Sequence, residues 1–446
     1  MTKICLSVSH PEDLRAAGAA DMIELRLDML ECIPNELPNL PFIATLGGLK
    51  GERRWSATNE AIRRGAILID VGEEDVPFIL PEWIMFSHHD WERTPPHTEI
   101  IRQMDRLQSR VRKAAFMVNR FRDLVSIYRA SQSIEYEHII LGMGEIGGVT
   151  RLRPKVLGNL FTFGHGGHPT APGQFHVEEM KRLGPDAMIL GIVGRPLGHT
   201  ASPAMHHAAL SAMDIRGKYL RFDVPDIEEL STFMLAYSIR GLNVTIPYKV
   251  QVIEQMDELD PSAAAVGAVN TICNEEGKIV GYNTDVEGAL RALINNGVDP
   301  ARSHALIIGA GGAAMACCYA ISSAGGEVTV TNRDMNKAYK LAERFQCHTL
   351  EAPRSLDDFD LIINCTPLGM QGFPSSAPID TAMLHEGHTV FDLVYRPRDT
   401  PLIREASYRG AKTISGIDML VHQALASFYI WTGKNVDPKV MMEALV

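Results

Sequence analysis

The sequence predicts an α/β protein in which an eight-stranded barrel is followed by a second α/β unit with a dinucleotide-binding domain. Short apolar segments alternate with helical patterns eight times within residues 1–184. A second pattern, in which a glycine-rich turn follows a buried strand, begins near residue 305. Alternating strands and helices are typical of parallel sheets, and eight such repeats are the number that forms a (β/α)8 barrel.

The composition is that of a globular protein. The chain has 446 residues, of which 46% are hydrophobic and 22% charged, so two or three domains are expected. The net charge of −11 disfavours nucleic acid and anionic membranes as partners, because both select basic surfaces. No segment reaches the roughly 18 apolar residues that span a bilayer, and no signal or transit peptide is evident, so we expect a cytoplasmic protein. Seven cysteines without C-x-x-C spacing are expected to be reduced thiols.

Eight candidate strands define the barrel. They are Lys3–Val8, Met22–Leu27, Phe42–Leu46, Ile67–Val71, Trp83–His88, Ala114–Val118, His138–Met143 and Leu160–Phe163. Helical patterns such as Asn59–Arg64 and Glu99–Leu107 lie between them. In such barrels the chemistry lies at the C-terminal ends of the strands, so polar residues there become candidates for a site.

The remainder of the chain divides into two further parts. A turn-like segment at Arg182–Asp186 precedes a new strand, Ala187–Val193, and an amphipathic helical stretch, Met419–Trp431, lies near the C-terminus. The predicted domains are a barrel at residues 1–184, a subdomain at 187–288 that the C-terminal segment 416–446 completes, and a dinucleotide-binding subdomain at 289–415.

The turn after the strand Ala305–Ile308 indicates a dinucleotide site. It reads Gly309-Ala310-Gly311-Gly312-Ala313-Ala314, and an alanine-rich helical pattern follows. Glycines let the backbone turn tightly and approach a pyrophosphate, while the N-terminus of the next helix supplies unpaired N–H groups. The turn alone is a weak signal, because glycines also form ordinary turns. Its place between a strand and a helix favours a Rossmann domain.

The next strand indicates which dinucleotide binds. Glu327–Thr331 is followed by Asn332 and Arg333, and Arg333 lies 22 residues after Gly311. An NAD site usually has an acidic residue near this position, which binds the ribose 2′-hydroxyl. A guanidinium instead pairs with a 2′-phosphate. The sequence therefore favours NADP over NAD, although the neighbouring Asp334 points the other way.

Six ordered motifs in the C-terminal part resemble those of shikimate dehydrogenases. They are Gly194–Pro203 (GRPLGHTASP), Gly241–Lys249 (GLNVTIPYK), Ala268–Thr271 (AVNT), Gly281–Asp285 (GYNTD), Asn364–Met370 (NCTPLGM) and Gly416–Gln423 (GIDMLVHQ). The match spans about residues 187–446. The resemblance implies a shikimate dehydrogenase unit of two subdomains, one of them a Rossmann NADP-binding domain.

The same resemblance implies a catalytic pair, Lys249 and Asp285. A carbonyl that receives a hydride also needs a proton donor, which agrees with a lysine in this position; taken without the family, Lys249 reads as an exposed surface lysine. The residues implied to bind substrate are Thr200, Ser202, Asn243, Thr245, Asn270, Tyr395 and Gln423. The residues implied to bind the nucleotide are Gly309, Ala310, Gly311, Gly312, Ala313, Asn332, Arg333, Thr366 and Gly416.

The N-terminal part resembles type I 3-dehydroquinate dehydratase, a (β/α)8 enzyme that uses a lysine Schiff base. The matching segments, in order, are Ile23–Asp28 (IELRLD), Ser87–Trp91 (SHHDW) with Thr94-Pro95, Arg112–Met117 (RKAAFM), Gly148–Leu152 (GVTRL), and Phe163-Gly164 with Thr170–Gln174 (TAPGQ). Each motif is less specific than those of the dehydrogenase, but their order and spacing agree with the family.

This second resemblance implies Lys113 as the residue that forms an iminium, an electron sink that acidifies the neighbouring carbon. Burial on an apolar strand is expected to lower the pKa of Lys113 and make it nucleophilic. His89, rather than the adjacent His88, matches the general acid and base. Glu24 and Arg26 alternate with leucines and are expected to face the barrel mouth. The residues implied to hold the substrate are Arg151, Thr170 and Gln174.

Two features depart from a simple match. Gly47 stands where the family usually has an arginine after the third strand. Nearby candidates to replace that arginine are Lys50, Arg53 and Arg54. His165 and His168 have a spacing found in metal sites, but no cysteine or acidic residue lies close to them in the sequence, so we expect no metal.

The combined hypothesis is a bifunctional enzyme of the shikimate pathway. The barrel would convert 3-dehydroquinate to 3-dehydroshikimate, and the second unit would reduce that product to shikimate with NADPH. Three alternatives stay open: a barrel that is only a scaffold, a quinate dehydrogenase that uses NAD, and an NADP-sensing regulator. The expected partners are these small molecules, and the sequence does not indicate an oligomeric state.

Overall fold

The computed structural model describes residues 2–30, 32–72, 81–106, 109–198 and 200–445. The chain forms two compact units. The first unit comprises Met1–Leu197 and Arg216–Ile239, and the second comprises Gly198–Ile215 and Arg240–Val446. In the described part of the chain, no helix is both long enough and apolar enough to cross a membrane.

The first unit contains the predicted barrel. Eight strands form one sheet in the order β7-β6-β5-β4-β3-β2-β1-β8, and neighbouring strands pair in parallel. They are β1 (Lys3–Val8), β2 (Met22–Arg26), β3 (Phe42–Thr45), β4 (Leu68–Val71), β5 (Ile84–Asp90), β6 (Val111–Met117), β7 (His138–Met143) and β8 (Phe161–His165). All eight predicted strands are confirmed, and the largest difference is at β6, which begins three residues before the predicted Ala114.

Helices occupy most of the connections between these strands. They are α1 (Gly51–Arg63), α2 (His97–Asp105), α3 (Phe121–Gln132), α4 (Gly144–Gly147), α5 (Val149–Leu152) and α6 (Val177–Leu183), with 3-10 helices at Pro11–Ala19 and Pro81–Trp83. The predicted helix at Asn59–Arg64 is the second half of α1. The predicted helix at Glu99–Leu107 corresponds to α2, and its last residue lies outside the described residues.

The inward-facing side chains of the barrel change from apolar to polar along each strand. Residues two apart on a strand face the same side. On β2, Met22 belongs to the apolar interior and Glu24 lines a cavity, and on β4 the pair Leu68 and Asp70 repeats this arrangement. The apolar positions lie toward the N-terminal ends of the strands. A polar cavity therefore forms at the C-terminal ends, above a packed apolar floor.

The ends of the sheet, β7 and β8, are joined by a side chain. Asn159 lies just before β8, and its amide donates to the Ile140 carbonyl at 2.9 Å and accepts from the Ile140 N–H at 2.8 Å. The Leu160 N–H donates to the His138 carbonyl at 3.0 Å. These bonds supply the pairing that brings the eight strands to near closure.

The chain then continues through elements that divide between the two units. They are β9 (Met188–Gly194), α7 (Ser202–Ala212), β10 (Gly217–Asp223) and α8 (Leu230–Ala236). In the first unit, β9 and β10 pair in parallel. Helix α8 packs on α3 of the barrel, where the rings of Phe121 and Phe233 stack with their centroids 4.9 Å apart.

Two buried polar anchors fix this packing. The Tyr237 hydroxyl donates to the Leu124 carbonyl at 2.9 Å. The Arg153 guanidinium is buried and donates to the carbonyls of Tyr237, Pro185 and Ala187, at 3.0, 3.2 and 2.6 Å. The compact units thus differ from the predicted division at residues 184–187, because residues 216–239 pack with the barrel.

The second unit contains a mixed α/β part, followed along the chain by a six-stranded sheet with its helices. The first part contains α7, β11 (Gly241–Val244), β12 (Glu258–Leu259), α9 (Pro261–Val266), β13 (Thr271–Glu275), β14 (Lys278–Tyr282) and α10 (Asp285–Asn295), with 3-10 helices at Gln251–Gln255 and Pro300–Arg302. Strand β13 pairs antiparallel with β11 and β14, and β12 pairs in parallel with β14.

The six-stranded sheet is the predicted Rossmann domain. Its parallel strands follow the order β17-β16-β15-β18-β19-β20, in which the order reverses between β15 and β18, the point where such sheets bind ligands. The elements are β15 (His304–Ile308), α11 (Gly312–Ala324), β16 (Glu327–Thr331), α12 (Met335–Phe345), β17 (His348–Thr349), β18 (Leu361–Asn364), a 3-10 helix (Thr381–Met383), β19 (Thr389–Asp392), α13 (Pro401–Tyr408) and β20 (Lys412–Ser415). The chain ends with α14 (Gly416–Thr432) and α15 (Pro438–Glu443).

Replacement of Arg153 by alanine is expected to destabilise the first unit by at least about 2 kcal/mol, because a buried cation would be lost and three carbonyls would lose their donor. The measurement is the midpoint of urea denaturation followed by circular dichroism. The matched control is Arg122→Ala, which removes an exposed ion pair with Glu228 and should cost only about 0–1 kcal/mol. Equal midpoints for the two variants would contradict the role of Arg153 as an anchor.

Candidate active sites

A cavity of about 410 Å³ opens at the C-terminal ends of the barrel strands. Seven of the residues that the sequence assigns to the barrel site line it: Glu24, Arg26, His89, Lys113, Arg151, Thr170 and Gln174. Apolar side chains below them, such as Leu141 and Phe163, separate the polar part from the barrel interior. The strands therefore bring together residues that lie up to 150 positions apart in the sequence.

Lys113 lies at the centre of this cavity and is buried, with 7% of its surface exposed. Its Nζ donates to Asp70 Oδ2 at 2.9 Å and lies 3.6 Å from Glu24 Oε1. Burial disfavours the ammonium, but the two carboxylates outweigh burial and raise the pKa of Lys113 above its ordinary value. The expectation that burial lowers this pKa is therefore wrong, because it took no account of the acidic partners.

The two carboxylates differ in their surroundings. Burial raises the pKa of Glu24, but the combined effect of Lys113, Arg26 and two hydroxyl donors is larger and lowers this pKa overall. The hydroxyl donors are Ser7 Oγ at 2.6 Å and Thr45 Oγ1 at 2.8 Å. For Asp70, burial and the Glu24 charge outweigh Lys113, and its pKa is raised.

Asp70 is a residue of this site that the sequence reasoning did not select. It lies two positions after Leu68 on β4 and so shares its inward face. The same alternation selected Glu24 and Arg26 on β2. Applied to every strand of the barrel, it would have identified Asp70 as a polar residue at the mouth.

His89 and His88 face opposite ways, as adjacent residues of a strand must. His89 lines the cavity, and its ring stacks beside that of Trp91 at a centroid distance of 5.9 Å. His88 packs against Phe116. Surrounding protein and the Lys113 ammonium lower the pKa of His89 to about 3, although part of its ring is open to solvent. His89 is therefore neutral at physiological pH and available to accept a proton.

Gly47 occupies a position where no side chain fits. Its backbone has a φ of +45°, and a Cβ on it would lie 2.3 Å from Asp28 Oδ2. Asp28 in turn holds Arg26 through two bonds, from Nε at 2.9 Å and from Nη2 at 2.7 Å. The absence of a side chain at Gly47, where the family usually has an arginine, thus leaves room for the Arg26–Asp28 pair. The sequence suggested three nearby residues that could replace this arginine, namely Lys50, Arg53 and Arg54. None of them is among the described residues that line the cavity.

Arg151 supplies the cationic end of the cavity. It is 2% exposed, and its Nε has no hydrogen-bond partner among the described residues. Burial lowers the pKa of Arg151 to about 10, and Glu24 opposes this effect. A buried guanidinium with unused donors is suited to bind an anion, above all a carboxylate in a bidentate way.

The loop after β8 forms one wall of the cavity. Gln174 Oε1 accepts from the Thr170 N–H at 2.7 Å, and Gln174 Nε2 donates to Thr170 Oγ1 at 3.1 Å. At Gly173 the φ is +79°, and a Cβ would lie 2.1 Å from the Gly144 carbonyl oxygen. The loop is therefore folded on itself and packed against the turn after β7, which places both Thr170 and Gln174 on the cavity.

In the second unit, Lys249 and Asp285 are in direct contact, since Lys249 Nζ donates to Asp285 Oδ2. Asp285 is the first residue of α10, where the helix dipole stabilises a negative charge. Its other oxygen, Oδ1, accepts from Asn270 Nδ2 at 2.8 Å. The pair is thus held from the helix and from the loop before β13, and the Lys249 side chain is 16% exposed.

A buried hydroxyl and amide network lies behind this pair. Asn270 Oδ1 accepts from the Thr284 N–H at 2.7 Å. Asn243 Nδ2 donates to Ser427 Oγ at 3.0 Å, and Ser427 Oγ is 2.7 Å from Thr271 Oγ1. Asn243, predicted to bind substrate, is 6% exposed and takes part in this internal network. The network orients Asn270, and through it Asp285.

The other predicted substrate residues are less tightly connected. Thr200 Oγ1 donates to Ser202 Oγ at 3.3 Å, at the start of α7. Gln423 Nε2 donates to the Leu420 carbonyl at 2.7 Å. The hydrogen bonds of the described residues do not join Thr245, Tyr395 or Gln423 to the Lys249–Asp285 pair. The motif that contains Thr200 also includes His199, which lies outside the described residues.

The glycine turn after β15 forms a cradle. Gly309 has a φ of +120°, and a Cβ there would lie 3.1 Å from the Cys365 carbonyl oxygen, so only glycine fits. At Gly311, by contrast, a Cβ would meet nothing within 4 Å, which leaves room above the turn. Helix α11 begins at Gly312 without a side-chain cap. Its first N–H groups, including that of Ala313, are available to a phosphate, and Ala310 lies in the turn before them.

This cradle adjoins the Lys249–Asp285 pair. A Cβ on Gly312 would lie 3.1 Å from Cδ of Lys249. Thr366, which follows β18, donates through its N–H and its hydroxyl to Asn364 Oδ1, at 2.9 and 2.7 Å. Gly416 packs so closely on the Leu393 carbonyl that a Cβ would lie 2.4 Å from its oxygen. The residues present therefore fit a dinucleotide whose phosphates lie on the turn and whose other end lies toward Lys249.

Arg333 and Asp334, which follow β16, differ in whether their side chains are available to a ligand. Asp334 Oδ1 accepts from the Asn336 N–H at 3.2 Å and caps α12, and Asn332 Nδ2 donates to the Asp334 carbonyl at 2.9 Å. Arg333 is exposed and has no acidic partner among the described residues. The Asp334 carboxylate is thus occupied as a helix cap, while the guanidinium stays available to an anion.

Models of four known domain families match the chain. Residues 8–183 match type I 3-dehydroquinase. Residues 192–272 match the shikimate dehydrogenase substrate binding domain, and residues 293–382 match shikimate / quinate 5-dehydrogenase. Residues 416–446 match the shikimate 5′-dehydrogenase C-terminal domain.

Individual relatives match the dehydrogenase part. A shikimate dehydrogenase (NADP(+)) of Archaeoglobus fulgidus is 44% identical over 266 residues, which are 58% of this chain and 97% of that protein. One from Dehalococcoides mccartyi is 40% identical over 272 residues, 58% of this chain and 95% of that protein. The structure of shikimate 5-dehydrogenase from Thermus thermophilus in complex with NADP(H) and shikimate is 37% identical, with a TM-score of 0.54, and covers 58% of this chain and 98% of its own. Quinate dehydrogenase from Corynebacterium glutamicum in complex with NAD is 31% identical, with a TM-score of 0.54, and covers 58% and 98%.

The folds and the two sites together define an enzyme with a lyase domain and an oxidoreductase domain. The lyase domain is the barrel with its buried lysine, and the oxidoreductase domain is the unit with the Rossmann sheet. The chain belongs to the shikimate dehydrogenase family, in the bifunctional form in which a type I 3-dehydroquinase domain precedes the dehydrogenase.

Replacement of Gly47 by alanine is expected to destabilise the barrel by about 1–2 kcal/mol, since a left-handed backbone and a clash with Asp28 oppose any Cβ. Gly47→Arg, which restores the residue usual in the family, should destabilise it at least as much. The control is Gly48→Ala, where a Cβ would meet nothing within 4 Å. Thermal denaturation of the three variants tests this, and a Gly47→Ala melting temperature equal to that of Gly48→Ala would refute it.

Proposed function

We propose that the chain catalyses two consecutive reactions, the dehydration of 3-dehydroquinate and the reduction of the resulting 3-dehydroshikimate to shikimate with NADPH. The observation that carries the first reaction is the buried Lys113 between Asp70 and Glu24 at the floor of a cavity with an unused guanidinium. The second reaction is supported by the Lys249–Asp285 pair next to the glycine cradle. The relatives named for NADP and shikimate support the choice of substrate and cofactor.

In the barrel, Lys113 must lose a proton before it can attack a carbonyl. Asp70, at 2.9 Å and with a raised pKa, is placed to accept that proton. The neutral amine then adds to the substrate ketone, and loss of water gives an iminium. The same negative surroundings that raise the pKa of Lys113 stabilise this cation. The two carboxylates thus disfavour the neutral amine of Lys113 but stabilise the iminium that it forms.

His89 is the group we assign to the following proton transfers. Its low pKa keeps the imidazole neutral, so it can remove the proton from the carbon next to the iminium. The electrons of the broken C–H bond form a carbon–carbon double bond, the C=N electrons move onto nitrogen, and the resulting enamine then expels the β-hydroxyl. That hydroxyl takes the proton back from His89 and leaves as water, and hydrolysis of the conjugated iminium frees the enone and Lys113.

Arg151 is the residue we assign to the substrate carboxylate. It is the buried cation of the cavity whose Nε has no partner, whereas Arg26 is already paired with Asp28 in two bonds. Thr170 and Gln174 present hydroxyl and amide groups from the loop after β8, which suit the hydroxyls of a polyol acid. With Gly47 in place of an arginine, the carboxylate relies on Arg151.

In the dehydrogenase unit, bound NADPH would supply a hydride to the ketone carbon. The Lys249 ammonium donates a hydrogen bond to the ketone oxygen and delivers a proton as that oxygen becomes a hydroxyl. Asp285 accepts a hydrogen bond from Lys249 Nζ and so holds this side chain in position. Asn270 fixes the Asp285 carboxylate through Oδ1. Ser202 and Thr200 are placed as hydroxyl donors to a carboxylate on the α7 side.

Borohydride reduction in the presence of 3-dehydroquinate is expected to leave a covalent adduct on Lys113, which mass spectrometry of the digested protein detects. Lys113→Met should lower dehydratase turnover at least about 1000-fold and leave shikimate oxidation unchanged. Lys249→Met should do the reverse, with a loss of about 100- to 10,000-fold in the dehydrogenase reaction and unchanged binding of NADPH. Each variant serves as the folding control for the other. A barrel that is only a scaffold would give no adduct.

Arg333→Ala is expected to raise the KM for NADPH about 10- to 100-fold, because a charged hydrogen bond to the 2′-phosphate is worth about 1.5–3 kcal/mol. The KM for NADH should not change. Asp334→Asn, which keeps the cap on α12, is the matched control and should affect neither cofactor. Steady-state rates with shikimate and with quinate, each with both cofactors, provide the measurement. A wild-type enzyme that prefers NAD would rule out this role of Arg333.

A further inference from the structure

Two loops at the rim of the barrel bring together three residues that coordinate metals in other proteins. His10 and Asp13 follow β1, and His168 follows β8, 155 residues later in the chain. A nitrogen of each histidine and an oxygen of Asp13 all lie within 4.8 Å of one another. No local spacing in the sequence indicates this cluster, because His10 and His168 lie at opposite ends of the barrel sequence.

Asp13 is the fixed point of the cluster. Its side chain is fully buried. Oδ2 accepts from the N–H groups of Ser9 and His10, each at 3.0 Å, and Oδ1 lies 2.9 Å from Nδ1 of His168. Asp13 is therefore held by these contacts, and its carboxylate offers an oxygen within 4.8 Å of a nitrogen of each histidine.

The two histidines face each other and are accessible. Their ring centroids are 4.0 Å apart, so the two imidazoles lie close enough to approach one ion. His10 is exposed, and the His168 side chain is 44% exposed. Both rings can therefore be reached from solvent, although His168 Nδ1 contacts Asp13 and His10 Nδ1 lies 3.1 Å from Ser9 Oγ.

We propose that His10, Asp13 and His168 bind a divalent transition-metal ion such as Zn²⁺ and thereby tie the loop after β8 to the loop after β1. Two imidazoles and a carboxylate are a donor set that zinc prefers, with a solvent molecule in the fourth position. Ligands of a tetrahedral zinc ion lie about 3.4 Å apart. Small rotations of the two exposed imidazoles close the remaining gap, while Asp13 keeps its place.

The loop that this ion would tie is also a wall of the cavity. Thr170 and Gln174, which line the cavity, lie two and six residues after His168. A bond from His168 to the loop after β1 would fix the start of this wall. The ion would act as a brace for the rim of the barrel, and no step of either reaction passes through it.

The test uses the full-length protein without an affinity tag, freed of metal with a chelator. Titration with Zn²⁺ against a chromophoric chelator should show one equivalent bound by the wild type. His10→Gln and His168→Gln should each weaken this binding at least about tenfold. His97→Gln, a partly exposed histidine on α2 of the same unit, is the matched control and should bind as the wild type does.

Hydrogen exchange then tests the bracing role. Zn²⁺ should slow amide exchange at residues 166–174 in the wild type and in His97→Gln, but not in His168→Gln. Equal uptake of Zn²⁺ by the wild type and the His10→Gln, His168→Gln double variant would overturn the site. Uptake that depends on these histidines without any change in exchange would overturn the brace. Both readouts are independent of either enzymatic activity.

Discussion

The barrel depends on one buried interaction, the contact of the Lys113 ammonium with Asp70 and Glu24. Each member of this group would be costly to bury alone, and removal of any one would leave an uncompensated charge in a site of low dielectric. The apolar floor beneath it provides the burial, and Ser7 and Thr45 satisfy the remaining lone pairs of Glu24. Chemical reactivity and structural integrity of the barrel are therefore properties of the same few atoms.

The second unit places a lysine beside a carboxylate for a different purpose. Lys249 is more exposed than Lys113 and has a single carboxylate partner, at a helix N-terminus. A nucleophilic lysine has to give up its proton before it reacts, whereas a proton donor must keep it until the substrate oxygen requires it. In the proposed mechanism, Asp70, with its raised pKa, takes the proton from Lys113, whereas Asp285 holds Lys249 in position.

The sequence predicted the fold to within a few residues per strand, because strand alternation and the glycine turn are local patterns. Through family motifs it selected seven residues that line the barrel cavity and the two residues of the Lys249–Asp285 contact. Its failures concern groups that only three-dimensional packing brings together. The pKa of Lys113 depends on Asp70, 43 positions away, and the reason for Gly47 is the space taken by Asp28. The cluster of His10 with His168 joins the two ends of the barrel sequence, which no local spacing reveals.

The packing of residues 216–239 with the barrel has a consequence for how such a fused gene can be divided. The family match for the dehydrogenase substrate-binding domain begins at residue 192, yet β10 and α8 belong to the compact unit that contains the barrel. A cut at residue 186 would separate α3 from the aromatic side chains of α8 and leave the Arg153 guanidinium without two of its three carbonyls, those of Ala187 and Tyr237. Each of the two products would expose side chains that are buried in the intact chain. Residues 216–239 are thus part of the compact unit that contains the barrel, although they lie within the dehydrogenase match. Fission of the gene would therefore require new surface residues on both sides of the cut.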